Sequence, residues 1–399
     1  MQGLIPSEQI PEAVHSLGAL SRQVPKKRRV LFLGRESFSD NSKYLYLHML
    51  AHCPETEVIW CSTETEVIRQ LRQNNLPCHH LGEDFNQSAD LLLHAAVAVF
   101  CVNPAQSLRH NLPLFACLNG AKQIQLWHGI SVKRLLMQLI PFLGVSDPSL
   151  RIPFYCATRA DAVLSTSAKM DDFWRQVFGK KEMLRAGFPR NEVLLRPASR
   201  FEMIGAELNA AQTQAINHKR PKVLIVPTWQ RGKTTLVSSP EFLIKLLGWA
   251  VAKNVDLWLK PHPLYQYQKI NDQRKIPHLH TLPAGVDIYP HMKKFDLLIT
   301  DYSSIMFDFM LTGKPVMTLD IQPGEHHNFE PDYSLLPAQH DFSYPFTLEN
   351  LESTLNTALR DDHKQAARQA LLNDIFPTPA IEACAMLAVG IEREMALLL

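Results

Sequence analysis

The sequence predicts an α/β protein of two successive parallel-sheet units with a cleft between them, and three observations carry that prediction. Short aliphatic and β-branched runs alternate with longer segments of helical periodicity. The alternation runs through the chain twice, with a polar break between, and cationic, hydroxyl and imidazole side chains gather where the apolar runs end. At roughly 150 residues per domain, a chain of 399 residues has room for two or three.

Residues 1–26 read as a tail, closed by Lys26, Lys27, Arg28 and Arg29, which are either a solvated charge run or a contact for phospholipid headgroups. The first series of strands then follows at 30–33, 58–61, 96–102, 123–127, 162–165 and 183–186, with helices over 42–52, 64–74 and 169–178. A polar stretch at 196–221 lacks periodicity. Beyond it a second series lies at 223–226, 256–260, 279–282, 297–300 and 316–319, and 380–398 has the apolar spacing of a helix lying on a domain surface. The boundaries expected are 27–200 for the first domain, 201–375 for the second and 376–399 for the closing helix.

Composition narrows the function classes. Lys plus Arg number 41 against 39 for Asp plus Glu, a net charge of +2, which excludes a basic scaffold for nucleic acid. Seven cysteines form no CxxC pair and read as reduced thiols of a cytoplasmic protein. The start lacks an export signal, and the richest apolar stretch, 91–102, is too short to span a bilayer and is interrupted by His94.

Five strand-end segments hold the residue types that chemistry needs. In DLLITDYSSIMFD, Asp301, Ser303 and Ser304 offer cap oxygens where a strand passes into a helix, a junction that either binds a phosphate or is simply a cap. In LWLKPHP, Lys260 and His262 leave a strand together next to prolines that restrict the turn; either a cation and an imidazole there neutralise a diphosphate leaving group without a metal, or His262 is a satisfied loop histidine. In QIQLWHG, Gly129 permits a tight exit from the strand, so His128 either stands in the cleft with Trp127 behind it, titrating in the range of a general base, or is a structural histidine. PTWQRGK and AGFPRN place Arg231, Lys233 and Arg190 in loops where guanidinium and ammonium groups bind phosphate oxygens, unless they are ordinary surface cations. Together these five loops, with no acidic metal cluster among them, suit a metal-free site for an anionic, nucleotide-like ligand.

The ordered set QLWHG, AGFPRNEVLL, PTWQRG, LKPHP and DLLITDYSSIMFDFMLTGKP resembles the CDP-glycerol glycerophosphotransferases, the teichoic acid primases and polymerases. The resemblance covers 122–320 and continues more weakly upstream through VLFLGRESFSDNSKYLYL. It implies a GT-B architecture, two Rossmann-like domains facing a cleft, and transfer of glycerol phosphate from CDP-glycerol to an acceptor hydroxyl with release of CMP. It makes His128 the candidate base and assigns Lys260, His262, Thr300, Asp301, Ser303 and Ser304 to the CDP diphosphate, with Arg231 beside them and Asp308 toward the ribose. Trp127, Gly129, Gly187, Arg190 and Asn191 complete the cleft. The chain departs from the family's WHGTPLKK at Ile130, Ser131, Val132 and Arg134, and carries Gln230 where the PTW motif often has Arg. CDP-ribitol transferases share the motifs; a nucleotide-sugar transferase of the same fold and a nucleotide-responsive binding module are the other readings. The acceptor is a polyol phosphate, a glycan or a lipid-linked precursor, and no cofactor is implied.

One further stretch bears on location. In KRLLMQLIPFLG, Leu135, Leu136, Leu139 and Ile140 fall at helical spacing after Lys133 and Arg134, with Phe142 and Leu143 following. This stripe is either core or a peripheral contact with an anionic leaflet on the cytoplasmic face.

Overall fold

The computed structural model describes residues 9–139, 148–228, 236–261, 276–320, 339–378 and 380–399. The front sheet comprises β1 (Lys27–Leu33), β2 (Glu57–Ser62), β3 (Cys78–His80), β4 (Ala95–Phe100), β5 (Lys122–Gln125), β6 (Ala162–Ser165) and β7 (Glu182–Arg185). All its pairings are parallel, in the order β3-β2-β1-β4-β5-β6-β7. The rear sheet comprises β8 (Lys222–Val226), β9 (Asp256–Leu259), β10 (Leu279–Thr281), β11 (Leu297–Thr300), β12 (Val316–Leu319) and β13 (Tyr344–Phe346), also all parallel, in the order β10-β9-β8-β11-β12-β13.

The apolar runs become central strands because helices cover both faces. Val30 to Leu33 on β1 and Ala95 to Phe100 on β4 are all buried, as a parallel sheet requires. Strand order reverses between β1 and β4 in front and between β8 and β11 behind. Crevices open at the carboxyl ends of such switch points, so the two sheets present their crevices to a shared cleft. This is the GT-B arrangement.

Three expectations are corrected. The amino-terminal segment is not a tail throughout: Ile10–Gln23 is a helix with Pro11 in its first turn, anchored where Ser21 Oγ donates to the Cys117 carbonyl at 2.6 Å. The basic run is solvated only in part: Lys27 and Arg28 are exposed, while Arg29 is buried and Lys26 half-buried. Lys27, Arg28 and Arg29 lie within β1. Lys26 Nζ donates to the carbonyls of Ser21 and Leu93 at 2.6 Å each, Arg28 pairs with Glu392, and Arg29 pairs with Glu57 at 2.6 Å. Two strands also escaped the sequence reading, β3 and β13, three residues each and at sheet edges.

The closing helix, Ala383–Ala396, returns to the front lobe, where it packs on the helix Asp40–His52 and near β4 and β7. Thr56 Oγ1 donates to Glu392 at 2.6 Å and Lys122 pairs with Glu394 at 2.8 Å, which fastens it there.

Candidate active site

Between the lobes lies a cavity of about 350 Å³ whose walls come from strand-end loops of both sheets. From the front come Arg35 after β1, Trp127 to Gly129 after β5, Lys133, and Arg190 after β7; from the rear come Thr228 after β8, Lys260 after β9, Ala284 to Tyr289 after β10, and Tyr302 to Ser304 after β11.

The turn that presents His128 is held from three sides. Trp127 takes a left-handed φ of +55°, which costs a bulky residue on the order of 1–3 kcal/mol unless its surroundings enforce it. Gln125 Oε1 accepts from the Trp127 N–H at 2.9 Å, Asn41 Nδ2 donates to the Trp127 carbonyl at 2.9 Å, and Arg190 Nη2 donates to the His128 carbonyl at 3.0 Å. The rings of Trp127 and His128 stack with centroids 4.4 Å apart. Gly129 follows at φ +125°, and a Cβ there would lie 2.8 Å from Arg190 Nη2 and 3.0 Å from Ser304 Oγ. Only glycine lets the WHG turn meet the Ser-rich junction of the opposite lobe so closely.

His128 Nδ1 lies 3.2 Å from the Cys101 carbonyl. A carbonyl only accepts, so Nδ1 carries the proton and Nε2 keeps its lone pair. Burial, then the positive charge of Arg35, push the imidazole down to about 3 against the opposing pull of Asp40, and Arg190 adds to the depression. His128 is therefore a neutral proton acceptor at physiological pH.

On the rear wall, Lys260 Nζ donates to the Ala284 carbonyl at 2.9 Å. Burial and then Arg35 lower its ammonium to about 8, with Asp287 opposing. Ser303 and Ser304 line the cavity, and neither hydroxyl has a hydrogen-bond partner among the described residues. The helix they precede, Ile305–Met310, is one short turn and a half, and Ser304 caps it without a side-chain hydrogen bond.

Several residues expected to touch ligand turn inward instead. Thr300 is buried with Oγ1 donating to the Val226 carbonyl at 2.6 Å. The buried Asp301 carboxylate accepts from the backbone N–H groups of Thr228 at 3.0 Å and Tyr302 at 2.8 Å, tying the PTW loop to the serine junction. Asp308 does not face a ribose; its oxygens accept from Arg190 Nη2 at 2.5 Å, Tyr289 Oη at 2.7 Å and Asn191 Nδ2 at 2.9 Å. Arg190 touches the cavity, but its guanidinium is taken by Asp308, by Asp40 at 2.7 Å and by the His128 carbonyl. Gly187 and Asn191 are buried behind the cavity. The placement fits positioning: the bonds of Arg190 and Asn191 to Asp308 join the lobes, and together these contacts leave little free to bind phosphate. His262 and Arg231, with Trp229 to Lys233 of the PTW loop, lie outside the described residues.

A second buried pair joins the lobes. Lys43 Nζ meets Asp287 Oδ2 at 2.8 Å and donates to the carbonyls of Glu202 and Ile204, and Tyr44 Oη donates to the same Asp287 oxygen at 2.8 Å.

Sequence reasoning missed Arg35 and Lys133 as cavity residues. Arg35 sits in the GRESFSD segment directly after the first apolar run, the same strand-end position that singled out the other motifs. Lys133 had been placed at the head of an apolar stripe. Its Nζ instead lies 4.9 Å over the Tyr302 ring, inside the cleft, and Leu135 and Leu136 pack against the core, which removes these three residues from any membrane-facing stripe. Ile140, Phe142 and Leu143 lie outside the described residues. No helix among the described residues is long and apolar enough to cross a membrane, and none of their His, Cys, Asp and Glu side chains form a group of three suited to a metal ion.

Known proteins share the sequence pattern and the fold of this chain. The chain is 25% identical over 313 residues to a teichoic acid poly(glycerol phosphate) polymerase of Staphylococcus epidermidis, which covers 73% of this chain and 40% of that one. It is 22% identical over 340 residues to a teichoic acid glycerol-phosphate transferase of Staphylococcus aureus, covering 81% and 83%. The chain thus spans half or less of the length of the polymerases it matches but most of the transferase. A structure of the wall teichoic acid polymerase TagF superimposes with a TM-score of 0.71 at 17% identity, over 98% of this chain and 94% of the other, which shows a shared fold. The sequence profile of the CDP-glycerol:poly(glycerophosphate) glycerophosphotransferases matches residues 17–326, and the chain belongs to that family.

Proposed function

We propose that the protein transfers glycerol phosphate from CDP-glycerol to the hydroxyl of a polyol-phosphate, glycan or lipid-linked acceptor and releases CMP. The observation that carries this reading is the meeting, in one cavity, of a neutral imidazole with a free Nε2 on the front lobe and Lys260, Ser303 and Ser304 on the rear.

In this reading the donor diphosphate lies against the rear wall, where Lys260 offsets its charge and the serine hydroxyls donate to its oxygens. The motif resemblance assigns His262 and Arg231 to the same diphosphate. His128 Nε2 accepts the proton of the acceptor hydroxyl as that oxygen attacks the β-phosphorus, and the bond to the CMP oxygen breaks. The anionic donor offsets the two guanidiniums that depress His128 and so raises its basicity when the substrate arrives. Phosphoryl transfer passes through a loose transition state, so positioning and charge neutralisation carry most of the catalysis. No metal is needed in this scheme, and activity that survives EDTA supports it. The reduced thiols and a nucleotide-activated donor suit the cytoplasmic face of the membrane.

The test is CMP release and product mass from CDP-glycerol, CDP-ribitol and UDP-sugars, each offered with a panel of these acceptors. Glycerol-phosphate addition with CMP release is the expected result. Release of UDP alone identifies a sugar transferase, preference for CDP-ribitol reassigns the polyol, and binding of CDP without turnover of any donor identifies a binding module.

A further inference from the structure

We propose that the front lobe grips the transferred phosphate itself through Arg35 and Lys133, so that the reacting phosphorus is held by cations from both lobes. The inference rests on the phosphotransfer reading above and adds two residues to it.

Arg35 leaves β1 beside His128. Its Nη1 donates to Asp40 Oδ2 at 3.1 Å and its Nε lies 4.0 Å from Glu36, beyond hydrogen-bonding distance. Among the described residues the remaining guanidinium N–H groups have no acceptor, although the side chain is only 26% exposed and lines the cavity. Its charge reaches across the cleft, since it depresses both His128 in front and Lys260 behind. Lys133 stands five residues beyond His128. Its Nζ rests over the Tyr302 ring, with no hydrogen bond or ion pair among the described residues, and burial lowers its ammonium while the charge of Asp301 pulls the other way.

Cations removed from water without a carboxylate partner are costly. Here Arg35 shares the Asp40 carboxylate with Arg190, Lys133 and Lys260 have no ion pair among the described residues, and all three converge on one cavity where an anion would meet them together. Phosphoryl transfer concentrates charge on the equatorial oxygens of the phosphorus under attack. The attacking hydroxyl approaches from the His128 side, so cations on that side meet those oxygens where Lys260 alone does not. Arg35 is also held ready by Asp40, which spares the ordering cost at the moment of reaction.

The test compares Arg35→Gln, Arg35→Lys and Lys133→Gln in the full chain. Each Gln variant is expected to lower kcat/KM for CDP-glycerol by about 10² to 10³, the cost of removing one preorganised donor to a developing charge. Affinity for CMP, which lacks the transferred phosphate, should stay within about threefold, and Arg35→Lys should recover roughly tenfold by restoring charge without the fork. Asp40 keeps Arg190, so Arg35→Gln should melt as wild type; if it does not fold, Lys133→Gln carries the test. Turnover within threefold of wild type in both Gln variants overturns the proposal, as does a fall in CMP affinity that matches the fall in kcat/KM. If the wild type turns over no CDP-activated donor, the function reading fails by itself; the grip is then read from pyrophosphate binding by calorimetry, which both Gln variants should weaken at least tenfold and which, if unchanged or absent in wild type, overturns it.

Discussion

Replacing Arg190 by Met removes the cation at the centre of the contact between the lobes, and its cost follows from the geometry. The side chain is 5% exposed and lies between Asp40, 4% exposed at 2.7 Å, and Asp308, fully buried at 2.5 Å. Removing one partner of a buried pair typically costs about 3–5 kcal/mol because a charge is left uncompensated. Two features hold the value toward the lower end: Asp308 keeps Tyr289 and Asn191, and Asp40 keeps Arg35 and the Asn41 N–H at 2.8 Å. The lost bond to the His128 carbonyl adds about 1 kcal/mol. A destabilisation of about 3–4 kcal/mol is therefore expected in urea unfolding at pH 7 followed by tryptophan fluorescence. The pH dependence checks the cause. Burial pushes the Asp40 carboxyl up, but Arg190 and then Arg35 outweigh it and hold the group below the usual carboxylate range. A depressed carboxyl contributes stability that is present above its unfolded pKa and lost as pH falls through the folded one. The gap between wild type and variant should thus be full at pH 7 and narrow below about pH 4. A loss under about 1 kcal/mol, or a gap that widens in acid, refutes the ionic account.

The remaining predictions concern the reaction. His128→Ala should abolish transfer while leaving CMP affinity within about threefold, because the base acts on the acceptor; turnover near the wild-type rate removes His128 from that role. Lys260 binds donor only as the ammonium, and with its pKa at about 8 it loses that charge as pH rises through this value. The kcat/KM for CDP-glycerol, which reports free enzyme, should therefore decline with a midpoint near 8; a profile flat to pH 9.5 contradicts the assignment.

The central strands were legible because burial on both faces demands unbroken aliphatic runs, which no other element of this length requires. The edges were not. In β3, Cys78–His80, and β13, Tyr344–Phe346, one side of the strand has no partner and three residues give no period to read. The helix Ile10–Gln23 had its signal in Pro11 and in the apolar spacing of Val14 and Leu17, but the tail reading let the basic run outweigh it. Lys26 and Arg29 of that run proved structural because carbonyls and a carboxylate met them from residues 57, 91 and 93, all distant along the chain, while Lys27 and Arg28 stay exposed.

The same distinction separates the halves of the site. Local sequence was enough to place His128, Lys260, Ser303 and Ser304 at strand ends, since a parallel sheet sends every carboxyl end to one side and turn-forming Gly and Pro mark where each strand stops. Which polar side chains face the cavity is a matter of partners brought in from elsewhere. Asp308 and Arg190 read alone as ligands for sugar and phosphate, yet each finds its counter-charge in the other, 118 residues apart. Arg35 and Lys133, unremarkable in one dimension, stand in the cleft because packing of the two lobes supplies neither with a carboxylate that could neutralise it completely. Charge pairing acts through space over a few ångströms, and only the folded chain decides which of its ions are already satisfied.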